Sequence, residues 1–130
     1  MNIGTFLLAI ALVETGNNPY PVGRAGERSE YQITRATWKQ HTTTPFNRKN
    51  TTNRTTAYCV AERHVNYLLT VIGKYSVLSD ADVTACAAMW KCGPAILQRA
   101  RWSASTLDYS RRVFNTYQAL EAAEQSSERP

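Results

Sequence analysis

Apolar residues along this chain recur at helical spacing, and that limits it to a mostly helical fold. The stretch from Asn2 to Glu14 carries Phe6, Leu7, Ile10 and Val13 on one face of a 3.6-residue period. The same period puts Ala61, Val65, Leu68, Leu69 and Ile72 on the inner side of a long helix from about Ala57 to Ile72, with Gly73 as its C-cap. Leu107, Val113, Tyr117 and Leu120 do the same for a last helix capped by Ser105 or Thr106. Between these, Thr34 suits the N-cap of a short helix through His41. Ser79 or Asp80 caps a helix to Trp90, which Gly93–Pro94 breaks before a short helix over Ala95–Arg101. Gly16, Asn17, Asn18, Pro19 and Pro21 end the first helix, and Thr42–Thr56, rich in Thr, Asn and Arg, reads as a surface loop. The pattern predicts about five or six helices, with at most a small β-hairpin in the Gly16–Ser29 loop. It describes one domain over residues 1–125 and a frayed tail over 126–130.

Composition narrows the function classes. A chain of 130 residues, 43% hydrophobic and 19% charged, is large enough to bury a core and too apolar to be disordered. No apolar run approaches the roughly 20 residues that a membrane helix needs. The run Phe6–Val13 is short, with no basic residue before it and no small-residue cleavage site after it, so it reads poorly as a signal peptide. A net charge of +5 favours a polyanionic partner: nucleic acid, anionic lipid or an anionic cell wall. The basic residues are scattered and form no compact stripe, which argues against nucleic acid. Three cysteines leave at least one thiol unpaired in a monomer. Cys86 and Cys92 are too far apart along one helix for a disulfide, whereas Cys59 is sterically open to either. With no CxxC pair, and with His41 and His64 distant in sequence, the expectation is no metal and no cofactor.

Glu14 is the residue with chemical potential. It ends an apolar helix and faces a loop of Gly, Asn and Pro. A carboxyl half-buried by Phe6, Ile10 and Val13 tends to keep its proton, because desolvation disfavours the charged form. Such an acid is what protonation of a glycosidic oxygen requires.

The run Glu14-Thr15-Gly16-Asn17-Asn18-Pro19, followed by Gly26 and by Tyr31-Gln32-Ile33, resembles the signature of the soluble lytic transglycosylase and goose-type lysozyme superfamily. That signature is a catalytic Glu followed by Ser, an Asn-Pro, a Gly, and then Gly-Leu-Met-Gln-Ile or a variant. Two later blocks agree in order. Ala87-Ala88-Met89-Trp90-Lys91-Cys92-Gly93-Pro94 is similar to the family's Ala-Ala-Tyr-Asn-Ala-Gly-Pro, and Tyr109-Ser110-Arg111-Arg112-Val113 with Tyr117 to its Tyr-Val-x-x-Val ending. Departures are Ser29 for Gly, Thr15 for Ser, Trp90 for Tyr and Lys91 for Asn. The last exchanges a group that donates and accepts hydrogen bonds for one that only donates.

The resemblance implies a lysozyme-like fold and cleavage of the β-1,4 bond between N-acetylmuramic acid and N-acetylglucosamine, with Glu14 as the catalytic acid and 1,6-anhydromuramic ends as product. It implies a monomer acting on peptidoglycan strands in the periplasm or cell wall, secreted or phage-delivered. Thr15, Tyr31, Gln32, Trp90, Lys91 and Tyr109 are the expected substrate-binding residues; Trp38, Trp102 and Tyr117 are expected in the core. Position 24, where some relatives carry a second acid, is Arg, so Glu27 is the nearest second carboxylate, with Arg24 and Arg28 available to neutralise it; Glu30 is expected in solvent. Three rivals stand beside this reading: a muramidase in which Glu27 activates water, a non-catalytic glycan-binding or structural domain of the same fold, and a small helical nucleic-acid binder, which only the charge supports.

Overall fold

The computed structural model describes residues 2–73 and 79–127. Helix α1 (Ile3–Thr15) is capped by the Asn2 side chain, which accepts from the Thr5 N–H, and it ends at Gly16 with φ of 65°. Gly16 donates to the Leu12 carbonyl and Asn17 to that of Ala11, closing the last turn where only a left-handed residue fits. Helices α2 (Arg35–His41), α3 (Arg48–Thr51) and α4 (Arg54–Ile72) follow, capped by the side chains of Thr34, Asn47 and Asn53. Helix α5 (Asp80–Cys92) starts with Asp82 accepting from both the N–H and the hydroxyl of Ser79. A 3₁₀ turn over Pro94–Gln98 leads to α6 (Ala104–Ser127). Among the described residues there is no strand, only a single antiparallel bridge between Arg28 and Ile33. No helix among them is long and apolar enough to cross a membrane.

Packing follows from which helix is apolar on more than one side. In α1, Thr5, Phe6, Leu7, Ala9, Ile10 and Ala11 are buried against α6 and α4, while Leu8 and Leu12 leave one apolar edge of the helix in solvent. Helix α5 brings Val83, Cys86, Ala87, Ala88 and Met89 to the same core and packs along α6. Each large apolar side chain fully removed from water stabilises by about 1.5–3 kcal/mol, and Phe6, Leu7, Ile10, Leu68 and Met89 are in that class. Fully buried Ala9, Ala57, Ala61, Ala87 and Ala88 let the helices approach closely. Trp38 and Tyr117 are core residues as expected, while Trp102 is only half-buried.

Several boundaries depart from the sequence reading, each for a local reason. Helix α4 begins at Arg54 rather than Ala57, because Asn53 accepts from the Thr56 N–H and starts the helix early. The expected Thr42–Thr56 loop contains the turn α3, nucleated in the same way by Asn47. Helix α5 continues past Trp90 to Cys92, and the expected Ala95–Arg101 helix is the shorter 3₁₀ turn. Ser103, not Ser105 or Thr106, caps α6 by accepting from the Thr106 N–H. Leu107, expected on the inner face, is exposed, since Thr106, Tyr109, Ser110, Val113 and Tyr117 hold that face. Ser126 and Ser127 belong to α6, and the rest of the expected tail lies outside the described residues.

Candidate functional site

The turn after α1 folds back so that Glu14 opens onto a groove of about 530 Å³ lined by Glu14, Ala25, Glu27, Gln32, Thr34, Trp90, Lys91, Tyr109 and Arg112. Four segments distant in sequence meet here: the end of α1, the loop before α2, the last turns of α5 and the first turns of α6.

Glu14 is half-buried, and its Oε1 accepts from the hydroxyl of buried Tyr109 at 2.7 Å. Burial raises the Glu14 carboxyl above its ordinary 4.5; the Tyr109 hydrogen bond opposes this, the charge of Glu27 adds to it, and Lys91 and Arg112 oppose it. Tyr109 is itself pushed well above 10, by burial first and then by the Glu14 charge, so it remains a donor across the working pH range. With Oε1 occupied by Tyr109, the second oxygen is the one free to carry a proton towards a ligand.

The loop is held by backbone geometry that few residues tolerate. Gln32 has φ of 53°, and its Nε2 donates to the carbonyls of Pro21 and Ser29, both at 3.0 Å, so its amide is used to shape the loop as well as to line the groove. Ser29 has φ of 72°, the region that favours glycine, at the position where the resemblance places a glycine. Gly23 leaves room for its neighbours: a Cβ there would press on a Glu27 carboxylate oxygen and lie 2.8 Å from Gln32 Oε1, so the ends of those side chains would have to shift. The Glu27 side chain is thus folded over Gly23, whose N–H also donates to the Glu27 carbonyl at 2.8 Å. Neither Arg24 nor Arg28 pairs with Glu27; among the described residues the ion pair is Arg112 with Asp108, at 3.0 Å.

Trp90 is half-buried, with its Nε1 donating to the Tyr31 carbonyl at 3.0 Å and its ring edge-on to His64. Lys91 reaches the hydroxyl of Ser105 and lies 5.5 Å from the centre of the Tyr109 ring.

Of the residues singled out in the sequence, Glu14, Glu27, Gln32, Trp90, Lys91 and Tyr109 meet in the groove, and Thr15 and Tyr31 do not. The Thr15 hydroxyl donates to the Ala11 and Glu30 carbonyls and accepts from the Asn18 N–H, which ties the loop to α1. Tyr31 is buried and lines a separate depression with Glu30, Arg54, Thr55, Tyr58 and Cys59. Glu30, expected in solvent, is 1% exposed there, and burial raises its carboxyl above the ordinary range. The sequence reading missed Arg112 and Thr34. Arg112 had a signal, since it stands one helical turn after Tyr109 on the same face.

His41 and His64, remote in sequence, meet across α2 and α4 with Nε2 and Nδ1 2.9 Å apart. Burial, then the neighbouring His41, lowers His64 to about 4. No group of three metal-ligating side chains is present among the described residues. All three cysteines are free thiols, with Cys86 buried and Cys59 and Cys92 exposed.

The architecture defined so far is a mostly α-helical domain with a half-buried carboxylic acid in a polar groove. No family model, no curated protein and no solved structure matches the chain.

Proposed function

We propose that this protein is a lysozyme-like glycosidase acting on peptidoglycan, in the manner of a lytic transglycosylase, with Glu14 as its catalytic acid. The observation that carries the reading is the setting of Glu14: a half-buried carboxyl at the end of α1, held through one oxygen by Tyr109 and open through the other to a groove large enough for a sugar. Burial raises the Glu14 carboxyl above the ordinary carboxylate range, the direction a proton donor needs. Trp90 offers an aromatic surface of the kind on which sugar rings pack. Ser29 supports the reading as well, because its backbone has the positive φ that favours glycine, at the position where the resemblance places one.

In this mechanism Glu14 gives its proton to the glycosidic oxygen as the bond from that oxygen to the muramic anomeric carbon breaks. The resulting carboxylate then takes the proton of the muramic 6-hydroxyl as that oxygen attacks the same carbon. Glu14 ends protonated, and the product is a 1,6-anhydro end. The attacking hydroxyl is tethered beside the reacting carbon, which favours it over water. Peptidoglycan as substrate places the work in the periplasm or cell wall.

One observation favours a second reading, hydrolysis. Glu27 lines the same groove with no ion-pair partner among the described residues, and a second carboxylate able to activate water is what a muramidase needs. A turbidity assay on purified peptidoglycan, wild type beside Glu14→Gln, tests the common claim; activity retained in the variant removes it. Mass spectrometry of the digest separates the two readings, since hydrolysis gives ends one water heavier that borohydride reduces.

A further inference from the structure

The groove holds two cations that the chemistry at Glu14 does not use. Lys91 is fixed by the Ser105 hydroxyl and the Tyr109 ring, the same ring whose hydroxyl holds Glu14. Arg112 is fixed through Nε by Asp108 one turn earlier on α6, and its two terminal amino groups have no protein partner among the described residues. Both side chains are exposed, and both reach the lining that contains Glu14. With Glu14 protonated, the lining sets these two cations against the single charge of Glu27. Positioned and solvent-facing, they are built to meet an anion entering the groove.

Resting on the glycosidase reading, we propose that Lys91 and Arg112 form a carboxylate-reading edge of the groove, so that the preferred substrate is a glycan with a free carboxylate beside the bond that Glu14 protonates. A neutral sugar strips water from Lys91 and from the terminal amino groups of Arg112 and gives them no acceptor charge in return, which penalises it. The edge also links recognition to catalysis. Lys91 and Arg112 each oppose retention of the Glu14 proton, so a bound carboxylate that neutralises them restores it. Two groups on peptidoglycan supply this chemistry: the lactyl carboxylate of a peptide-free muramic residue, and a carboxylate of the stem peptide.

The test compares kcat/KM of the wild type on peptide-free glycan strands, on the same strands after methyl esterification, on peptide-bearing strands and on neutral chitin oligosaccharides. Free-acid strands are expected to exceed their esters by about tenfold or more, as loss of a charge-assisted hydrogen bond implies. That ratio should shrink as salt rises, and it should approach one in a Lys91→Gln, Arg112→Gln double variant. The alkaline limit of activity should lie higher on the free acid than on the ester. Preference for peptide-free over peptide-bearing strands assigns the lactyl group, and the reverse assigns the stem. Equal rates on acid and ester overturn the carboxylate edge and leave the glycosidase standing. If the wild type cleaves no glycan, calorimetry with the Glu14→Gln protein still decides: tighter binding of the free acid than of the ester upholds the edge while the catalytic reading falls. No difference in binding removes both. The substrate-side comparison needs no variant, so misfolding of the double variant does not blunt it.

Discussion

Glu14 and Tyr109 form a pair whose members act on each other's protons. Because Glu14 titrates above 4.5 when folded, the folded state holds its proton at pH values where the unfolded chain has lost it. Stability from this residue therefore falls as pH rises from 4.5 through the folded value, and the penalty persists at neutral pH. Glu14→Gln keeps the Tyr109 hydrogen bond and removes that penalty. We expect at least about a hundredfold loss of activity, the lower end of what acid catalysis contributes. We also expect a higher melting temperature than wild type at pH 7, with the two curves converging below 4.5. Tyr109→Phe removes the one hydrogen bond that lowers the Glu14 carboxyl, so the alkaline limit of activity should move to higher pH. Glu27→Gln removes a like charge and should move it to lower pH. A Tyr109→Phe profile that stays in place or moves down refutes the role given to that hydroxyl. These pairings were not legible in the sequence: Glu14 and Tyr109 are 95 positions apart, and only their arrival at one groove couples them.

At the scale of the elements, chain punctuation does more than the periodic pattern reveals. Asparagine caps open α1, α3 and α4, and two of them shifted the boundaries read from apolar spacing. Asn53→Ala removes the bond to the Thr56 N–H and should destabilise by about 1 kcal/mol in chemical denaturation, with the groove chemistry intact. The loop before α2 offers a sharper test. In Gly23→Ala the new methyl collides with the Glu27 carboxylate, the flexible group that has to move, and with the Gln32 amide behind it. We expect Glu27 to leave its place, so the variant should lose any hydrolytic product while keeping anhydro ends. Loss of both products together would show that the Gln32 side of the loop had collapsed as well.

Over the whole molecule, the His41–His64 contact bridges α2 and α4 beside Trp90, so acid weakens the groove from behind. His64 is 8% exposed, and its folded value of about 4 lies below the ordinary 6.5. Its contribution is thus fully present above 6.5 and is lost as pH falls towards 4. At about 1.4 kcal/mol per pH unit the loss is about 3 kcal/mol. His64→Asn should lose that part of the stability profile relative to wild type, and a variant that keeps the wild-type pH slope between those limits would refute the buried pair.

The sequence by itself determined the helices, because a 3.6-residue apolar period and the Gly, Pro and Asn residues that interrupt it act over a few positions and need no distant partner. It also singled out Glu14, though through the resemblance carried by the segment from Glu14 to Gln32 and not by position, since a glutamate at a helix end is ordinarily a solvated charge. Tertiary structure alone decided the rest. It turned Tyr31 and Glu30 inward on another face, joined two histidines from different helices, and brought Arg112 and Glu27 to the acid. Those outcomes depend on which sides of α1, α5 and α6 face one another, and the period within a helix says which residues share a side without saying what that side meets.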